Sequence, residues 1–356
     1  MRTADLDFDL PPRLIATAPA DPRDSARLMV CDRATGGVAH HRVRDLPDLG
    51  LLQPGDVMIT NRSRVLPARF RGRRAKTGGK AAGLFIAEAD GVWELMLETR
   101  GTPEPGERIT LDEDAWLELL ESLGGGRWRA RYHGREPTHA LLELIGTTPL
   151  PPYLRQARKL RHEPEDRDED PTRYNTVFAR EAGSVAAPTA GLHFTPQLLS
   201  RLEAAGVARH EVILHVGLGT FAPVRHDNLE DHPIHDEHAV IPADTARAIH
   251  HARSGGRRVL AVGTTTVRAI ESLPDEAASW SGQTDLFITP DRIAAGQFTW
   301  RHTDWLMTNF HLPRSTLLAL VAALPGVGLP RLLDWYRQAI DAEYRFYSFG
   351  DAMLIV

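Results

Sequence analysis

The chain has 356 residues, of which 42% are hydrophobic and 25% charged, and its formal net charge is −5. These values are typical of a globular protein of about two domains and argue against a protein that is basic throughout. The single cysteine, Cys31, excludes an intramolecular disulfide. The longest apolar run, 317–324, is too short to span a bilayer. The N-terminal segment has no apolar core of a signal peptide, so we expect a cytoplasmic protein that does not bind membranes.

Two stretches near the N-terminus, LMVCDR and GDVMIT, predict strands of a larger domain. Between 66 and 148 the pattern changes to short strands with glycine turns, as where the turn at Asp90-Gly91 precedes the apolar side chains of GVWELMLET. This pattern predicts a small antiparallel barrel or sandwich. We therefore expect 1–65 and 149–356 to form one domain, with 66–148 inserted as a β-barrel.

A basic stripe runs from 62 to 80 without a single acidic residue. Such a stripe on an acidic protein is typical of a surface that binds a phosphate backbone, but a solvated strand face has the same composition. On the first interpretation the nucleic-acid contacts are Arg69, Arg71, Arg73 and Arg74.

From about residue 185 the chain alternates strand, turn and helix. Helix N-caps are predicted at Thr195, Asp244 and Ser315, and strands at VARHEVILHV, RRVLAV and DWLMTNF. This alternation predicts an α/β fold in which a mixed sheet carries helices on both faces. The charged, proline-flanked segment 156–171 predicts a mobile loop.

Small residues dominate the stretch GSVAAPTAGLHFT at 183–195. Small apolar segments of this kind let a ligand approach the backbone closely. Ser184 and Thr189 add hydroxyl groups, Gly191 adds space, and His193 adds a titratable side chain. The stretch therefore predicts part of a ligand site.

Two other motifs resemble known sites less well. The glycine pattern of Gly217, Gly219 and Ala222 follows a predicted strand, but Pro223 comes where a dinucleotide-binding helix should begin, so a nicotinamide cofactor site is rejected. The stretch HPIHDEH (232–238) is compatible with a metal site, but it has no cysteine partner and no HExxH helix. A hydrogen-bonded His/Glu cluster is the alternative, and we predict no metal.

Two strand-to-helix junctions carry polar side chains. The stretch GTTTVRAIES suits a carboxylate, because it combines a helix N-terminus at Thr264 and Thr265 with Arg268 one turn later. A capped turn without a ligand is the alternative. In TNFHLPRST, Asn309, His311 and Arg314 follow a strand, although a buried histidine with purely structural contacts also fits. Because ligands bind off the carboxyl ends of strands in such sheets, we expect one shared crevice.

Together these stretches resemble one family, the S-adenosylmethionine:tRNA ribosyltransferase-isomerases of queuosine biosynthesis. The resemblance is carried by DFDLPPRLIA, PLPPYLR, RYNTVFAREAGSVAAPTAGLHFT, LHVGLGTFAPV, HPIHDEH, RRVLAVGTTTVRAIES, TDLFITP, LMTNFHLPRSTLLALVAAL and YRFYSFGDAMLI, which span nearly the whole chain. The sequence departs from the family pattern at Arg62, Ala182 and Arg314 and in the long 156–171 segment.

The resemblance implies an α/β domain with an inserted barrel and a reaction without metal or redox cofactor. S-adenosylmethionine would be consumed as a substrate. Its ribosyl part would be transferred to 7-aminomethyl-7-deazaguanine at the tRNA wobble position, with release of adenine and methionine and formation of epoxyqueuosine. We expect a monomer. A methyltransferase and a non-catalytic tRNA-binding paralogue, or one with another acceptor, are the competing hypotheses.

The chemistry assigns hypothetical roles to individual residues. A base must remove a proton beside the sulfonium, and histidine suits this task; His193 is the first candidate, followed by His311 and His215. Asn309 or Thr189 would donate to the leaving adenine, and Arg268 or the amides of 264–266 would bind the methionine carboxylate. The remaining roles are carboxylates for the ammonium or sulfonium (Glu271, Glu237, Asp351), rings that stack on adenine (Tyr174, Phe194, Phe310) and cations for RNA phosphates (Arg180, Arg345).

Overall fold

The structure is a computed structural model that describes residues 1–217, 224, 226–234 and 236–356. Along these residues the strands are β1 (Arg27–Cys31), β2 (Val38–Arg42), β3 (Val57–Asn61), β4 (Ser63–Val65), β5 (Arg69–Arg74), β6 (Lys80–Ala89), β7 (Val92–Thr99), β8 (Arg108–Asp112), β9 (Ala115–Gly124), β10 (Arg127–His133), β11 (Glu181–Ser184), β12 (Ala208–Leu214), β13 (Glu237–Ile241), β14 (Val259–Val262), β15 (Trp280–Thr284), β16 (Trp305–Asn309) and β17 (Ala352–Ile355).

The α-helices are α1 (Thr138–Ile145), α2 (Pro152–Leu160), α3 (Asp170–Arg173), α4 (Pro196–Ala204), α5 (Ala243–Ser254), α6 (Thr264–Glu271), α7 (Pro290–Ala294), α8 (Thr316–Ala322) and α9 (Leu329–Asp341). Short 3₁₀ helices lie at Thr3–Leu6, Pro12–Leu14, Arg23–Ser25, Val43–Asp48, Thr189–His193 and Leu229–Asp231.

The larger sheet has nine strands in the order β15-β13-β12-β3-β14-β16-β17-β1-β2, so both ends of the chain contribute to it. Strands β12, β3, β14 and β16 run parallel, whereas β17 and β13 pair antiparallel with their neighbours β16 and β12. All five residues of β3 are buried, as expected for a strand covered on both faces.

Helices cover both faces of this sheet. On one face of the sheet, helices α5, α6, α8 and α9 contribute side chains to the largest apolar cluster. Helix α4 packs on the other face, through Leu198 and Leu202, together with the 3₁₀ helix Val43–Asp48. The predicted fold class, a mixed α/β sheet with an inserted barrel, is confirmed.

The barrel is closed by six antiparallel strands in the order β10-β7-β6-β5-β8-β9, which rules out the sandwich. In β7 the side chains of Trp93, Leu95 and Leu97 point inward, as their alternation predicts. The hairpin before them turns through Asp90 (φ 51°) and Gly91 (φ 72°), the left-handed pair of a type I′ turn. These strands, 69–133, lie within the segment 66–148.

The prediction of a mobile loop at 156–171 is wrong at both ends of the segment. Helix α2 extends to Leu160 and α3 begins at Asp170. The guanidinium of Arg158 is buried and donates two 2.7 Å hydrogen bonds to Asp170, and others to the carbonyls of Thr17 and Glu165. The segment folds because its opposite charges pair with one another, which composition alone does not reveal.

Two of the three predicted N-caps are confirmed. The side chains of Thr195 and Ser315 accept hydrogen bonds from the backbone N–H groups of Leu198 and Leu318. The third is wrong: α5 starts at Ala243 after Pro242, so Asp244 lies inside the first turn. There its charge suits the helix dipole without capping the helix.

Candidate active site

One cavity, of about 670 Å³, opens at the carboxyl ends of the parallel strands β12, β14 and β16. Val216, Gly263 and Phe310, which follow these strands, all line it. The rest of the wall comes from distant segments: Pro152, Tyr153, Tyr174, Ala186, Ala187, Thr189, Ala190, Val224, His232, Pro233, Ile234, Glu237, Thr264, Thr265, Arg268, Leu286, Phe287, Ile288, Thr308, Asn309, His311, Leu312, Pro313, Arg314, Ser315, Thr316, Leu317, Leu320, Tyr347 and Ser348. The fold thus brings together the three predicted motifs at 183–195, 263–272 and 308–316.

Asn309 connects the cavity wall to the interior. Its Oδ1 accepts a 2.8 Å hydrogen bond from the Thr189 hydroxyl, and its Nδ2 donates at 3.2 Å to both His193 Nε2 and the Tyr347 carbonyl. Thr189 lines the cavity, whereas His193 lies behind Asn309 and outside the wall. Burial lowers the pKa of His193 to about 4, and the contact with Asn309 uses the ring nitrogen that lacks a proton.

His311 is the histidine of the predicted catalytic set that lines the cavity. Its Nε2 lies 2.9 Å from the Thr308 hydroxyl, and its backbone N–H donates to the Tyr336 hydroxyl at 2.8 Å. Burial lowers its pKa to about 4. The imidazole is therefore neutral at pH 7 and can accept a proton.

Arg268 and Glu237 form an ion pair in the wall. The guanidinium also donates to the carbonyls of Leu286 and Thr284, at 3.1 and 3.4 Å, and the other Glu237 oxygen accepts from the backbone N–H of Gly217 at 3.0 Å. Both charges are held rigidly at the cavity surface, and each has the opposite charge beside it.

The N-terminus of α6 lies in the same wall. Gly263 adopts φ 93° and makes the turn, so the threonines already belong to the helix. Thr264 and Thr265 line the cavity. The hydroxyl of Thr265 is buried and has no hydrogen-bond partner in the described part of the chain, whereas Thr266 bonds back to the Val262 carbonyl at 2.7 Å.

Besides His193, two other predicted residues of the 183–195 stretch lie outside the cavity wall, because the fold itself uses them. The Ser184 hydroxyl donates to the Ala186 carbonyl at 2.7 Å and accepts from the Val216 N–H at 3.0 Å. A Cβ on Gly191 would lie 3.0 Å from Thr176, so this glycine serves close packing.

Predicted residues elsewhere also have structural partners. His215 stacks against Gly183, where a Cβ would come within 2.8 Å of its ring. Glu271 is fully buried and accepts the backbone N–H groups of residues 301–303. Asp351 accepts from the backbone and guanidinium of Arg345. None of these four side chains lines the cavity.

Of the three rings expected to stack on adenine, Tyr174 and Phe310 line the cavity and Phe194 is buried behind it. His232 and Glu237 of the HPIHDEH stretch are in the wall, whereas His235 and residues 218–223, with Gly219 and Ala222, lie outside the described residues. Within the described ranges no group of three or more His, Cys, Asp or Glu side chains is arranged to hold a metal ion.

Sequence reasoning missed an aromatic part of the wall. Tyr153 and Tyr347 meet edge to face at 4.8 Å, and the Tyr153 hydroxyl bonds to Ser348. Tyr347 adopts φ 71°, rare for a bulky residue, and its carbonyl accepts from Asn309 and, at 2.9 Å, from the Gly350 N–H. The motif YRFYSFGD contains this residue, but no sequence pattern indicates its backbone conformation.

Most of the basic stripe is neutralised. Acidic partners lie within 4.0 Å of six of its cations: Arg62–Glu211, Arg64–Glu143, Arg69–Asp166, Arg71–Asp166, Arg74–Glu107 and Lys76–Glu104. Arg180 is exposed and pairs with Glu211 at 3.3 Å. Within the described chain, Arg73 and Lys80 are the stripe cations without an acidic partner.

Comparisons with known proteins agree along the whole chain. The family model described as queuosine biosynthesis protein matches residues 3–355. The S-adenosylmethionine:tRNA ribosyltransferase-isomerase of Rubrobacter xylanophilus is 46% identical, with 100% of this chain and 98% of the relative covered. The enzyme of the same name from Symbiobacterium thermophilum is 44% identical, with both chains fully covered.

A solved structure is similar as well. The S-adenosylmethionine tRNA ribosyltransferase from Thermotoga maritima is 34% identical, has a TM-score of 0.54, and is matched over 99% of this chain and 100% of that chain. No helix among the described residues is long and apolar enough to cross a membrane.

Proposed function

Because the chain belongs to the queuosine-biosynthesis family of S-adenosylmethionine:tRNA ribosyltransferase-isomerases, we propose that the cavity beside β14 and β16 is its active site. The chain is an S-adenosylmethionine-dependent transferase-isomerase that acts on tRNA. We propose that the acceptor is 7-aminomethyl-7-deazaguanine at the wobble position, and that epoxyqueuosine, adenine and methionine are the products. The observation that carries the assignment is one cavity of about 670 Å³, a volume typical of small-molecule sites, that combines a fixed ion pair with a neutral histidine.

The Arg268–Glu237 pair suits the amino-acid end of S-adenosylmethionine. That end carries an ammonium group beside a carboxylate, and these two charges are opposite to those of Glu237 and Arg268. The carboxylate would bind Arg268 and the amides and Thr265 hydroxyl at the start of α6, and the ammonium would bind Glu237. This arrangement keeps the site electrically balanced with and without substrate.

The proposed base is His311, in preference to His193. The sulfonium acidifies the adjacent 5′ carbon, and removal of a proton there gives an ylide. Loss of adenine then opens the ribosyl rearrangement, the amine of the modified base adds to the sugar, and methionine departs as the epoxide closes. His311 lines the cavity as a neutral imidazole, whereas His193 lies behind Asn309 and outside the wall.

Asn309 takes a positioning role in this proposal. Both of its amide hydrogens are used, toward His193 and the Tyr347 carbonyl, so it has none left for adenine. Thr189 is then the residue of the two that contacts the purine, by turning its hydroxyl away from Asn309. S-adenosylmethionine is consumed as a substrate in this scheme, and we propose that the enzyme acts as a monomer.

Chromatography tests the function directly. Purified protein is mixed with S-adenosylmethionine and tRNA that carries 7-aminomethyl-7-deazaguanine, with unmodified tRNA as the matched control. We expect adenine only with the modified tRNA, together with the matching mass gain on the nucleoside. S-adenosylhomocysteine would indicate a methyltransferase, and folded protein that gives neither product would indicate a paralogue with another acceptor.

A further inference from the structure

One row of side chains crosses the outer face of the barrel. The strand register places Lys80 (β6) opposite Arg73 (β5), Arg73 opposite Thr110 (β8), Thr110 opposite Trp116 (β9) and Trp116 opposite His133 (β10). All five side chains are exposed or half-buried. Because directly opposed residues lie about 4.5–5.5 Å apart, they form a continuous row around five of the six strands of the closed barrel, named here the barrel platform.

Three flat groups are layered at one end of the barrel platform. The Trp116 and His133 rings are parallel within 6° with centroids 3.8 Å apart, and the Arg108 guanidinium lies 3.6 Å from the Trp116 centroid. The His133 side chain remains 35% exposed, and Glu118 lies 3.3 Å from its Nε2. The stack therefore presents planar groups, with delocalised electrons, to solvent and not to a core.

The barrel platform is also cationic. Arg73 and Lys80 are the two stripe cations left without an acidic partner, and Arg108 and Arg131 flank Glu118 in the register. Two cations thus lie opposite one carboxylate, while Arg73 and Lys80 lie two and three strands away from it around the barrel. The further acids nearby, at 112–114, lie in the β8–β9 hairpin, where Asp114 pairs with Arg135 at 3.5 Å.

We propose that the barrel platform binds unpaired nucleotides of the tRNA substrate. A base would stack on the exposed planar end of the Arg108–Trp116–His133 stack. Arg73 and Lys80, two and three strands from Trp116, would contact phosphates further along the RNA. Single-stranded RNA is recognised by this combination of stacking on aromatic or guanidinium planes and cations along the backbone. A protein partner would need apolar area, which Trp116 alone supplies here. The proposal rests on the proposed function for the identity of the RNA.

Anisotropy with fluorescent unmodified tRNA measures binding without requiring turnover. The test variants are His133→Ala, and Arg73→Gln combined with Lys80→Gln. We expect about a 10-fold weaker Kd for His133→Ala, in the range found for one stacked base. For the double variant we expect the slope of log K against log salt to fall by about 1 to 2. Arg127→Gln is the matched control, since Arg127 lies at the other end of β10 and pairs with Glu94.

Kinetics with modified tRNA separates this surface from the active site. The platform variants should raise KM for tRNA and leave KM for S-adenosylmethionine and kcat at saturating tRNA unchanged. The proposal would be overturned if both variants kept Kd values for tRNA within twofold of wild type, or if Arg127→Gln weakened tRNA binding as much as they do. In the first case the surface would be free to bind a protein instead. If wild-type protein forms no adenine, the proposed function fails, while the anisotropy result still decides whether the barrel platform binds RNA.

Discussion

The cavity wall and the barrel platform hold their polar groups in opposite ways. In the wall, Asn309 is buried and its amide has fixed partners in Thr189, His193 and Tyr347. On the barrel platform, the side chains stand in solvent, and Arg73 and Lys80 keep their charges free of acids. The first arrangement can recognise the shape and charge of one small molecule, and the second suits a long, flexible polyanion.

The two regions differ less in how many cations they hold than in whether those cations are already paired with acids. Arg268 in the wall is already paired, so its value lies in its fixed direction toward the cavity. Arg69 and Arg74 on the barrel are paired as well, and their geometry is that of structural ion pairs. A run of basic residues therefore indicates a binding surface only where the fold leaves the charges unpaired.

The largest effect is expected at His311. His311→Gln should lower kcat for adenine formation by about 100- to 10,000-fold, the usual contribution of a general base, with little change in KM for S-adenosylmethionine. Single-turnover assays measure this, and circular dichroism checks the fold. A folded His193→Gln variant that loses more activity than His311→Gln would move the base to the buried histidine.

The second prediction concerns the buried ion pair in the charged segment 156–171. Arg158→Met should reduce the free energy of unfolding by about 3–5 kcal/mol, because it leaves the buried Asp170 carboxylate without its partner. Urea denaturation measures this change. Lys76→Met is the matched control: Lys76 pairs with Glu104 on the surface, and its loss should cost roughly 0–1 kcal/mol. Equal effects of the two variants would contradict the buried ion pair.

The third prediction separates the two substrates. Arg268→Lys should raise KM for S-adenosylmethionine roughly 10- to 100-fold, since a lysine cannot form the same forked contact with a carboxylate, and leave the Kd for tRNA unchanged. Steady-state kinetics with each substrate varied in turn measures both. If Arg268→Lys weakened tRNA binding more than S-adenosylmethionine binding, the cavity and barrel platform would not be separate sites.

The antiparallel strands of the barrel were predictable because their signals are local, although these signals fit a sandwich equally well. The alternation in β7 and the Asp90-Gly91 turn depend only on neighbouring residues. The motifs of the cavity were visible too, and so was the edge of the sheet where they meet, because parallel strands end together. What the sequence could not supply is the orientation of side chains within the motifs: the 3₁₀ helix Thr189–His193 turns Thr189 toward the cavity and His193 away from it.

Long-range pairing was the other unpredictable part. Arg69 lies 97 residues from its partner Asp166, and the carboxylates of Glu271 and Asp351 are occupied by backbone N–H groups that no composition rule identifies. The stack of Trp116 on His133 depends in the same way on the register between β9 and β10. Residue type indicated the available chemistry, whereas the fold decided which groups remain free.

The smallest effect is expected from pH. Burial holds the pKa values of His193 and His311 near 4, so kcat/KM should stay nearly flat from pH 8 to 5.5 and fall only as His311 becomes protonated near pH 4. The unfolded chain, whose histidines titrate near 6.5, binds more protons between pH 6.5 and 4. The stability contributed by these neutral histidines is therefore fully present above pH 6.5 and is lost as the pH falls through that range.

Parallel pH profiles of kcat/KM and of Tm distinguish these two effects, and His40→Gln on the protein surface serves as the control. An acid limb of kcat/KM centred near pH 6.5, in protein that is still folded, would mean that the base is a solvated group and not the buried His311. The two regions would then differ less, because the catalytic base would be exposed to solvent like the side chains of the barrel platform.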